Sequence, residues 1–155
     1  MPHINDRLDN TVEVFIVYNK KVLLRKHDKY KIWLSVGGHI EKDEDPNQAA
    51  LREVKEEVGL NIELYRNSSI PLFQNENYKE LIPPEFINRH RITGIHEHVT
   101  FVYFAKSFTD KLILSETEKS EECKWFGLGE LSEEKYNIKE HIQYYSKKAL
   151  ETLSA

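Results

Sequence analysis

The chain has 155 residues, of which 39% are hydrophobic and 31% are charged, and its formal net charge is −4. This length fits one domain that buries a core, and the composition excludes a disordered chain. The negative net charge argues against broad electrostatic binding to nucleic acid or to an acidic membrane.

The cysteine count and the apolar runs indicate the compartment. The single cysteine, Cys123, excludes an internal disulfide, as is usual in a reducing compartment, and we interpret it as a small strand residue. The longest apolar runs are too short to span a bilayer, and residues 1–10 lack the apolar core of a signal peptide. These observations predict a soluble cytoplasmic protein.

The beginning of the chain predicts three strands. Thr11–Tyr18 and Lys21–Lys26 are rich in strand-forming residues, and the polar pair between them predicts a hairpin. Lys31–Val36 predicts a third, short strand that stops at Gly37 and Gly38.

A helix with distinct ends is predicted next. Asp45 is suited to cap its N-terminus, and Pro46 occupies the first helical position, where its missing N–H costs nothing. Gly59 is suited to end it, because glycine readily adopts the left-handed conformation that follows many helices.

The second half of the chain predicts further strands and then two helices. The predicted strands are Ile62–Tyr65, Ile70–Phe73, Glu97–Lys106, Lys111–Leu114 and Cys123–Phe126. Residues 74–95 are polar, contain two prolines and are predicted to be a long loop. Leu128–Tyr136 and Ile138–Leu153 predict helices. A mixed sheet with one helix inserted mid-chain and helices at the end favours an α/β fold with three layers, α/β/α.

Three glutamates on the first predicted helix are candidate metal ligands. Glu53, Glu56 and Glu57 occupy positions i, i+3 and i+4 and therefore share one face. A second face is apolar and is predicted to pack on the sheet; it comprises Ala50, Leu51, Val54 and Val58. The carboxylates repel each other, and Mg²⁺ or Mn²⁺ would relieve that repulsion. A solvated acidic face is the alternative, and the glutamates alone favour it.

The segment from Gly38 to Leu60, GHIEKDEDPNQAALREVKEEVGL, favours the metal site. It resembles the complete Nudix box: a glycine, five residues, Glu44, seven residues, and then Arg52 to Leu60 with every fixed residue type present. A chance match at one chosen start has a probability of about one in 10⁸. The resemblance implies a single Nudix hydrolase domain over residues 1–155, with a Nudix-type α/β/α sandwich.

The resemblance also implies roles for the residues beside the glutamates. Arg52 is expected to orient the acidic side chains through charge-assisted hydrogen bonds, and Glu44 is expected to support the metal site. Gly37, Gly38 and His39 are expected to lie against the substrate. Val36 stands where the family commonly has a proline, a departure that concerns the geometry of this loop and not the metal ligands.

Outside the box the candidate residues carry weaker signals. Arg25 and Lys26 end the second predicted strand and are candidate contacts for phosphate oxygens, although solvated surface charge is an equally good interpretation. His96 and His98 alternate on a strand and share a face, which resembles a metal-binding pair. With no third ligand identifiable, a structural or substrate-contacting role is favoured for them.

Family members often add an acidic residue from a later loop as a metal ligand or base. The candidates are Glu116, Glu118, Glu121 and Glu122, of which Glu118 is the first choice and Glu121 the second. The implied reaction is attack of water on phosphorus in a nucleoside diphosphate-linked substrate, with Glu53, Glu56 and Glu57 holding the metal.

The box does not specify the substrate. The small size and MutT-like layout favour a nucleoside triphosphate, cleaved to monophosphate and pyrophosphate. Tyr78 lies where dinucleoside polyphosphate hydrolases of the family tend to carry a tyrosine, so such an enzyme is one alternative. A catalytically silent Nudix-fold binding module is the other, although such modules usually lose box glutamates. A family-typical homodimer is expected.

Overall fold

A computed structural model describes residues 7–27, 30–114 and 122–153 of the chain. The strands in this part are β1 Leu8–Tyr18, β2 Lys21–Lys26, β3 Trp33–Leu34, β4 Val36–His39, β5 Ile62–Leu64, β6 Phe86–Thr93, β7 His96–Ser107 and β8 Glu122–Phe126. The helices are α1 Pro46–Val58 and α2 Glu140–Leu153, and two 3₁₀ turns precede α2. No helix of the described ranges is long and apolar enough to cross a bilayer.

The strands form one mixed sheet in which β1 is central. β1 pairs in parallel with β7, from Leu8 opposite Glu97 to Val17 opposite Lys106. The other strand pairs are antiparallel, in the order β3-β2-β1-β7-β5, with β4 on β1, β6 on β7 and β8 on β2. The end of β1 pairs with β2, while its beginning pairs with β4, so both neighbours share one edge.

Helices cover both faces of this sheet, as the three-layer prediction requires. Alternate residues of β1 point to opposite faces, and each set joins a different core. The core that includes α1 contains Val12, Val14, Ile16, Val54 and Val58. The core that includes α2 contains Phe15, Val17, Phe104, Ile142 and Leu150. The predicted α/β/α sandwich is therefore confirmed.

Helix α1 has the ends that its sequence predicts. The Asp45 carboxylate accepts from the Gln48 N–H at 2.8 Å, and the Gln48 side chain accepts from the Asp45 N–H at 3.0 Å, which completes a capping box. Pro46 begins the helix, and Gly59 ends it with φ of 71°. A Cβ on Gly59 would also lie 2.6 Å from the Ile113 side chain.

The buried face of α1 differs from the predicted one. Leu51 was expected to pack on the sheet, but it is 45% exposed. Ala49, Glu53 and Glu57 are buried together with the predicted apolar residues Ala50, Val54 and Val58. The helix is rotated so that two of the glutamates, rather than Leu51, face the sheet.

Two predicted strands are wrong. Ile70–Phe73 belongs to no strand of the described chain, and both end residues are largely exposed. The nearest pairing is an isolated bridge between Gln74 and Lys79. Lys111–Leu114 is irregular, and its Ile113 N–H donates a hydrogen bond to the Val58 carbonyl of α1. Leu112 and Leu114 pack against the core that includes α1 without joining the sheet.

Three further predictions need correction. The loop predicted over residues 74–95 contains β6, a polar strand that pairs along β7. The helix predicted over Leu128–Tyr136 consists of the 3₁₀ turns Glu130–Ser132 and Glu134–Tyr136, which end at Asn137 with φ of 49°. Lys31–Val36 is divided between β3 and β4, and β4 continues through the glycine pair to His39 instead of stopping there.

Candidate active site

Two of the three box glutamates lie under α1, against the sheet. Glu53 and Glu57 are 5% and 6% exposed, respectively. Glu57 Oε1 accepts the Gly37 N–H at 3.0 Å, and the Arg25 guanidinium forms an ion pair with Glu57 Oε2. Glu57 therefore connects α1 to both β4 and β2.

The glycine pair of β4 leaves the space that this packing needs. A Cβ on Gly38 would lie 2.4 Å from Glu53 Oε1, and one on Gly37 would lie 2.1 Å from the Val12 carbonyl oxygen. Neither glycine has a positive φ, so close approach and not backbone conformation accounts for both. Val36 is fully buried and pairs with Val14, so this position carries a strand residue that packs in the core.

Arg52 is the centre of a carboxylate network. Its Nε and Nη2 donate to the two Glu44 oxygens at 2.6 and 2.9 Å, a bidentate pair. Its Nη1 donates to Glu53 at 3.0 Å and to Glu56 at 3.2 Å. Its Nη2 also donates to the His39 carbonyl at 3.0 Å. Arg52 thus joins the loop before α1, two glutamates of α1, and the end of β4.

The pKa values of two members of the network shift in opposite directions. The Arg52 hydrogen bond lowers the pKa of Glu44 below its usual value. Burial raises the pKa of Glu53, an effect that Arg52 and the Glu57 carboxyl reduce in part. Glu56 differs from both, since its side chain is 60% exposed. A buried carboxyl pair with an exposed third carboxylate is an all-oxygen donor set, which fits a hard divalent cation such as Mg²⁺.

Two adjoining pockets open on the α2 face of the sheet. The first has a volume of about 290 Å³, and its lining includes Thr11, Arg25, Gly37, Gly38, His39 and His98. The second has a volume of about 670 Å³, and its lining includes Tyr30, Asn88, His90, Lys139, His141 and Tyr145. Because Gly37 and Gly38 border the first pocket, its contents would lie next to the backbone that holds Glu53 and Glu57.

Glu13 borders both pockets and was not predicted from the sequence. The Ser35 hydroxyl donates to Glu13 Oε2 at 2.6 Å and holds the carboxyl in place. Burial raises the pKa of Glu13, and the Ser35 hydrogen bond lowers it in part. The missed signal is that a glutamate interrupts the apolar strand β1 on the face opposite α1.

The predicted histidine pair lies in a larger polar cluster. His96 is buried, with Nε2 3.4 Å from Asp9 Oδ2. The His98 ring centre lies 5.0 Å from that of His39 and 5.9 Å from that of His90. Burial, followed by the neighbouring histidines, lowers the pKa of His98 to about 4. The sequence did not indicate Asp9 as a partner, because only the parallel pairing of β1 with β7 places it opposite His98.

Other candidates lie away from these pockets or outside the described chain. Lys26 lies over the Trp33 ring, 5.9 Å from its centre, and is not in the lining of either pocket. Tyr78 packs its ring on Phe73 and is likewise absent from both linings. Glu122 is exposed at the start of β8. Three predicted glutamates fall outside the described residues, namely Glu116, Glu118 and Glu121.

Comparison with known proteins agrees with the resemblance of the segment from Gly38 to Leu60 to the Nudix box. The NUDIX domain family matches residues 7–147. A hydrolase of that family from Clostridium perfringens is 36% identical in sequence, and its crystal structure superposes with a TM-score of 0.83 over 96% of this chain and 99% of that chain.

Two further similar proteins are named for the same activity. The dihydroneopterin triphosphate diphosphatase of Haemophilus influenzae is 36% identical over 92 residues, 58% of this chain and 57% of that protein. The match thus spans just over half the length of this curated relative. The structure of the E. coli dihydroneopterin triphosphate pyrophosphohydrolase is 18% identical and shares the fold, with a TM-score of 0.62 over 93% of each chain.

Proposed function

Because the chain belongs to the NUDIX family of hydrolases, we propose that it is a magnesium-dependent pyrophosphohydrolase, with Mn²⁺ as a substitute metal. We propose that it cleaves a nucleoside triphosphate, or a triphosphate with a similar ring, to the monophosphate and pyrophosphate. The observation that carries this proposal is the buried pair of Glu53 and Glu57 against the backbone of Gly37 and Gly38.

The metal ligands in this proposal are Glu53, Glu56 and Glu57. When bound, Mg²⁺ would neutralise charge on the phosphates and lower the pKa of the attacking water. The burial that raises the pKa of Glu53 supports this assignment, because a cation relieves the same unfavourable charge that a proton does. The proton of the attacking water is assigned to one of these glutamates or to Glu118.

The surrounding residues of the chain position these carboxylates. Arg52 ties Glu53 and Glu56 to Glu44, so all three carboxylates are held by one planar guanidinium. Arg25 carries a positive charge beside Glu57 and borders the first pocket, so we assign it to a phosphate oxygen of the substrate. Backbone at Gly37 and Gly38, with His39 beside them, is assigned to the same phosphate end.

Glu13 is assigned to the ring of the substrate. A carboxylate accepts two N–H donors side by side, which matches the amino group and ring N–H of guanine and of a pterin, but not adenine. The Ser35 hydroxyl fixes the orientation of the Glu13 carboxyl at the junction of the two pockets. The similar H. influenzae protein, which is named for action on dihydroneopterin triphosphate, supports this choice.

A substrate screen tests the proposal. Purified protein is given GTP, dGTP, ATP, UTP, dihydroneopterin triphosphate, a dinucleoside tetraphosphate and ADP-ribose, each with Mg²⁺ or Mn²⁺, and products are separated by chromatography. We expect pyrophosphate release from the guanine and pterin triphosphates, and none with a chelator. Faster cleavage of the dinucleoside would contradict the proposed substrate. No turnover with either metal would favour the silent binding module.

The ring assignment has its own test. Glu13→Gln replaces one acceptor oxygen with a donor, so kcat/KM should fall about 10- to 100-fold for the guanine or pterin triphosphate and change little for ATP. Glu63→Gln, on the exposed side of β5, is the matched control and should leave both values unchanged. An equal loss on all substrates would reject the role in ring recognition.

We make three broader proposals, two from family membership and one, the compartment, from the composition of the chain. Residues 1–155 form a single Nudix domain, the protein acts in the cytoplasm, and it forms a homodimer. Light scattering tests the last of these, and a monomeric mass would contradict it.

A further inference from the structure

Three strands place an aspartate and two histidines at one point on the α2 face of the sheet. Asp9 lies on β1, His39 on β4 and His98 on β7, and their candidate ligand atoms all lie within 4.8 Å of one another. The strand pairings fix these positions, since Asp9 is opposite His98 and Thr11 is opposite His39. The arrangement therefore rests on the sheet and not on loops.

The His39–Asp9 distance suits a shared cation. His39 Nε2 lies 3.3 Å from Asp9 Oδ2. Charge-assisted N–H···O⁻ hydrogen bonds are shorter, about 2.7–2.9 Å. Ligand atoms about 2.0–2.2 Å from a tetrahedral Zn²⁺ are themselves about 3.3–3.6 Å apart. The His39–Asp9 spacing thus equals that of two neighbouring ligands around such an ion.

We propose that Asp9, His39 and His98 form a second metal site, for Zn²⁺ or a similar transition-metal ion. Two imidazoles and one carboxylate are the donors that such ions prefer, whereas Mg²⁺ prefers oxygen alone. This site therefore differs in metal class from the glutamate site. His39 and His98 also border the first pocket, which provides a path for the ion and room for a water as fourth ligand.

His39 connects the proposed site to the glutamate network. Its imidazole belongs to the cluster, while its backbone carbonyl accepts from Arg52 Nη2 at 3.0 Å. An ion held by His39 would therefore fix the end of β4 at the residue that anchors Arg52. The second metal is structural in this proposal and stabilises the strand beside the pocket.

The competing explanation is a buried ion pair in which Asp9 is neutralised by a protonated histidine. The two explanations differ in whether a metal ion binds with defined stoichiometry. Untagged protein is stripped with a chelator and titrated with Co²⁺, whose absorption is strong in a tetrahedral site with nitrogen ligands and weak in an octahedral oxygen site. We expect the strong bands to saturate at one ion per chain. Their absence in the wild-type protein would overturn the proposal without any variant.

Variants then locate the site. His98→Asn and Asp9→Asn should each weaken Zn²⁺ binding at least tenfold in equilibrium dialysis and abolish the strong Co²⁺ bands. His90→Asn is the matched control, since the His90 ring lies beside His98 but outside the ligand set. Glu57→Gln should keep the bands, because it alters the other site. Wild-type affinity in a folded His98→Asn protein, as judged by circular dichroism, would reject the assignment.

Discussion

The Glu57 carboxylate makes two contacts that a change to glutamine affects differently, keeping one and removing the other. Its Oε1 accepts the Gly37 N–H, which a glutamine oxygen also accepts, while its Oε2 pairs with Arg25. Glu57→Gln should therefore fold with a marked loss of stability, because the largely buried Arg25 guanidinium loses this charged partner. Glu56→Gln should fold with wild-type stability, because that side chain is largely exposed.

Both variants should lose activity. We expect turnover to fall at least 100-fold, which corresponds to about 2.7 kcal/mol of transition-state stabilisation. Glu151→Gln, an exposed glutamate of α2, is the control and should retain wild-type turnover. Melting temperatures without metal and turnover with Mg²⁺ are measured for all three. Full turnover of either Glu56→Gln or Glu57→Gln would remove that residue from the proposed ligand set.

Alanine substitutions at the two glycines of β4 should affect turnover and stability differently. Gly38→Ala places a methyl group 2.4 Å from Glu53 Oε1, so the carboxyl must move, and we expect at least a tenfold loss of turnover with a small loss of stability. Gly37→Ala places it 2.1 Å from the Val12 backbone oxygen, so the strand itself must move. Urea unfolding should show a loss of several kcal/mol for Gly37→Ala. A smaller loss for Gly37→Ala than for Gly38→Ala would contradict this account.

Glu13 should give stability a distinct pH dependence. Burial raises its pKa, so the folded protein binds more protons than the unfolded chain between the two pKa values. The contribution of Glu13 to stability therefore falls as pH rises from the unfolded pKa, about 4.3, through the folded one. Glu13→Gln lacks this loss, so its unfolding free energy relative to wild type should increase from pH 4 to pH 7 in urea titrations. A constant difference would contradict the raised pKa.

At the scale of elements, the capping box at the start of α1 allows a quantitative prediction. Asp45→Ala removes the side-chain acceptor of the capping box, which should cost about 1 kcal/mol of stability, or about 2–4 °C in melting temperature. Asp110→Ala, an exposed aspartate outside any helix, is the control. Turnover of Asp45→Ala below the unfolding range should stay close to wild type, because Glu53 and Glu57 lie further along the helix. A large activity loss would place Asp45 in the site.

The elements predicted correctly are those with strong local signals. β1, β2, β7 and α1 each combine residue propensity with a definite boundary, as at Asp45 and Gly59. β6 was missed because its residues are mostly polar and exposed, so its strand character comes from pairing along β7. Ile70–Phe73 failed for the opposite reason, since apolar residues there found no strand to pair with in the described chain.

The residues of the two proposed sites also differ in whether a local sequence pattern indicates them. Glu53, Glu56 and Arg52 lie within one short segment, so their spacing alone indicated them. Asp9 and His39 meet His98 through pairings between strands far apart in sequence, which no local pattern contains. Even within the box, the different burial of Glu53 and Glu56 depends on how α1 is rotated against the sheet.

At the scale of the whole molecule, Mg²⁺ should stabilise the fold. A ligand that binds only the folded state at 100 times its Kd contributes about 2.7 kcal/mol, which for a chain of this size raises the melting temperature by about 5–10 °C. The reason is that the cation removes repulsion within the buried carboxyl pair of Glu53 and Glu57. Differential scanning calorimetry with increasing Mg²⁺ measures the shift. Glu57→Gln should show less than half of it, and an equal shift would place Mg²⁺ elsewhere.

The alternation of β1 separates two sets of evolutionary constraints. Even-numbered positions such as Val12 and Val14 pack under the helix that carries the proposed metal-binding glutamates, whereas Asp9, Thr11 and Glu13 face the other side. Point substitutions at Thr11 and Glu13, which line the first pocket, would therefore change what the pocket accepts without disturbing the packing of α1. A one-residue insertion in this strand would exchange the two sets and damage both at once. Sequences that descend from this one should therefore change ligand preference through replacements in β1, while the length of β1 stays constant.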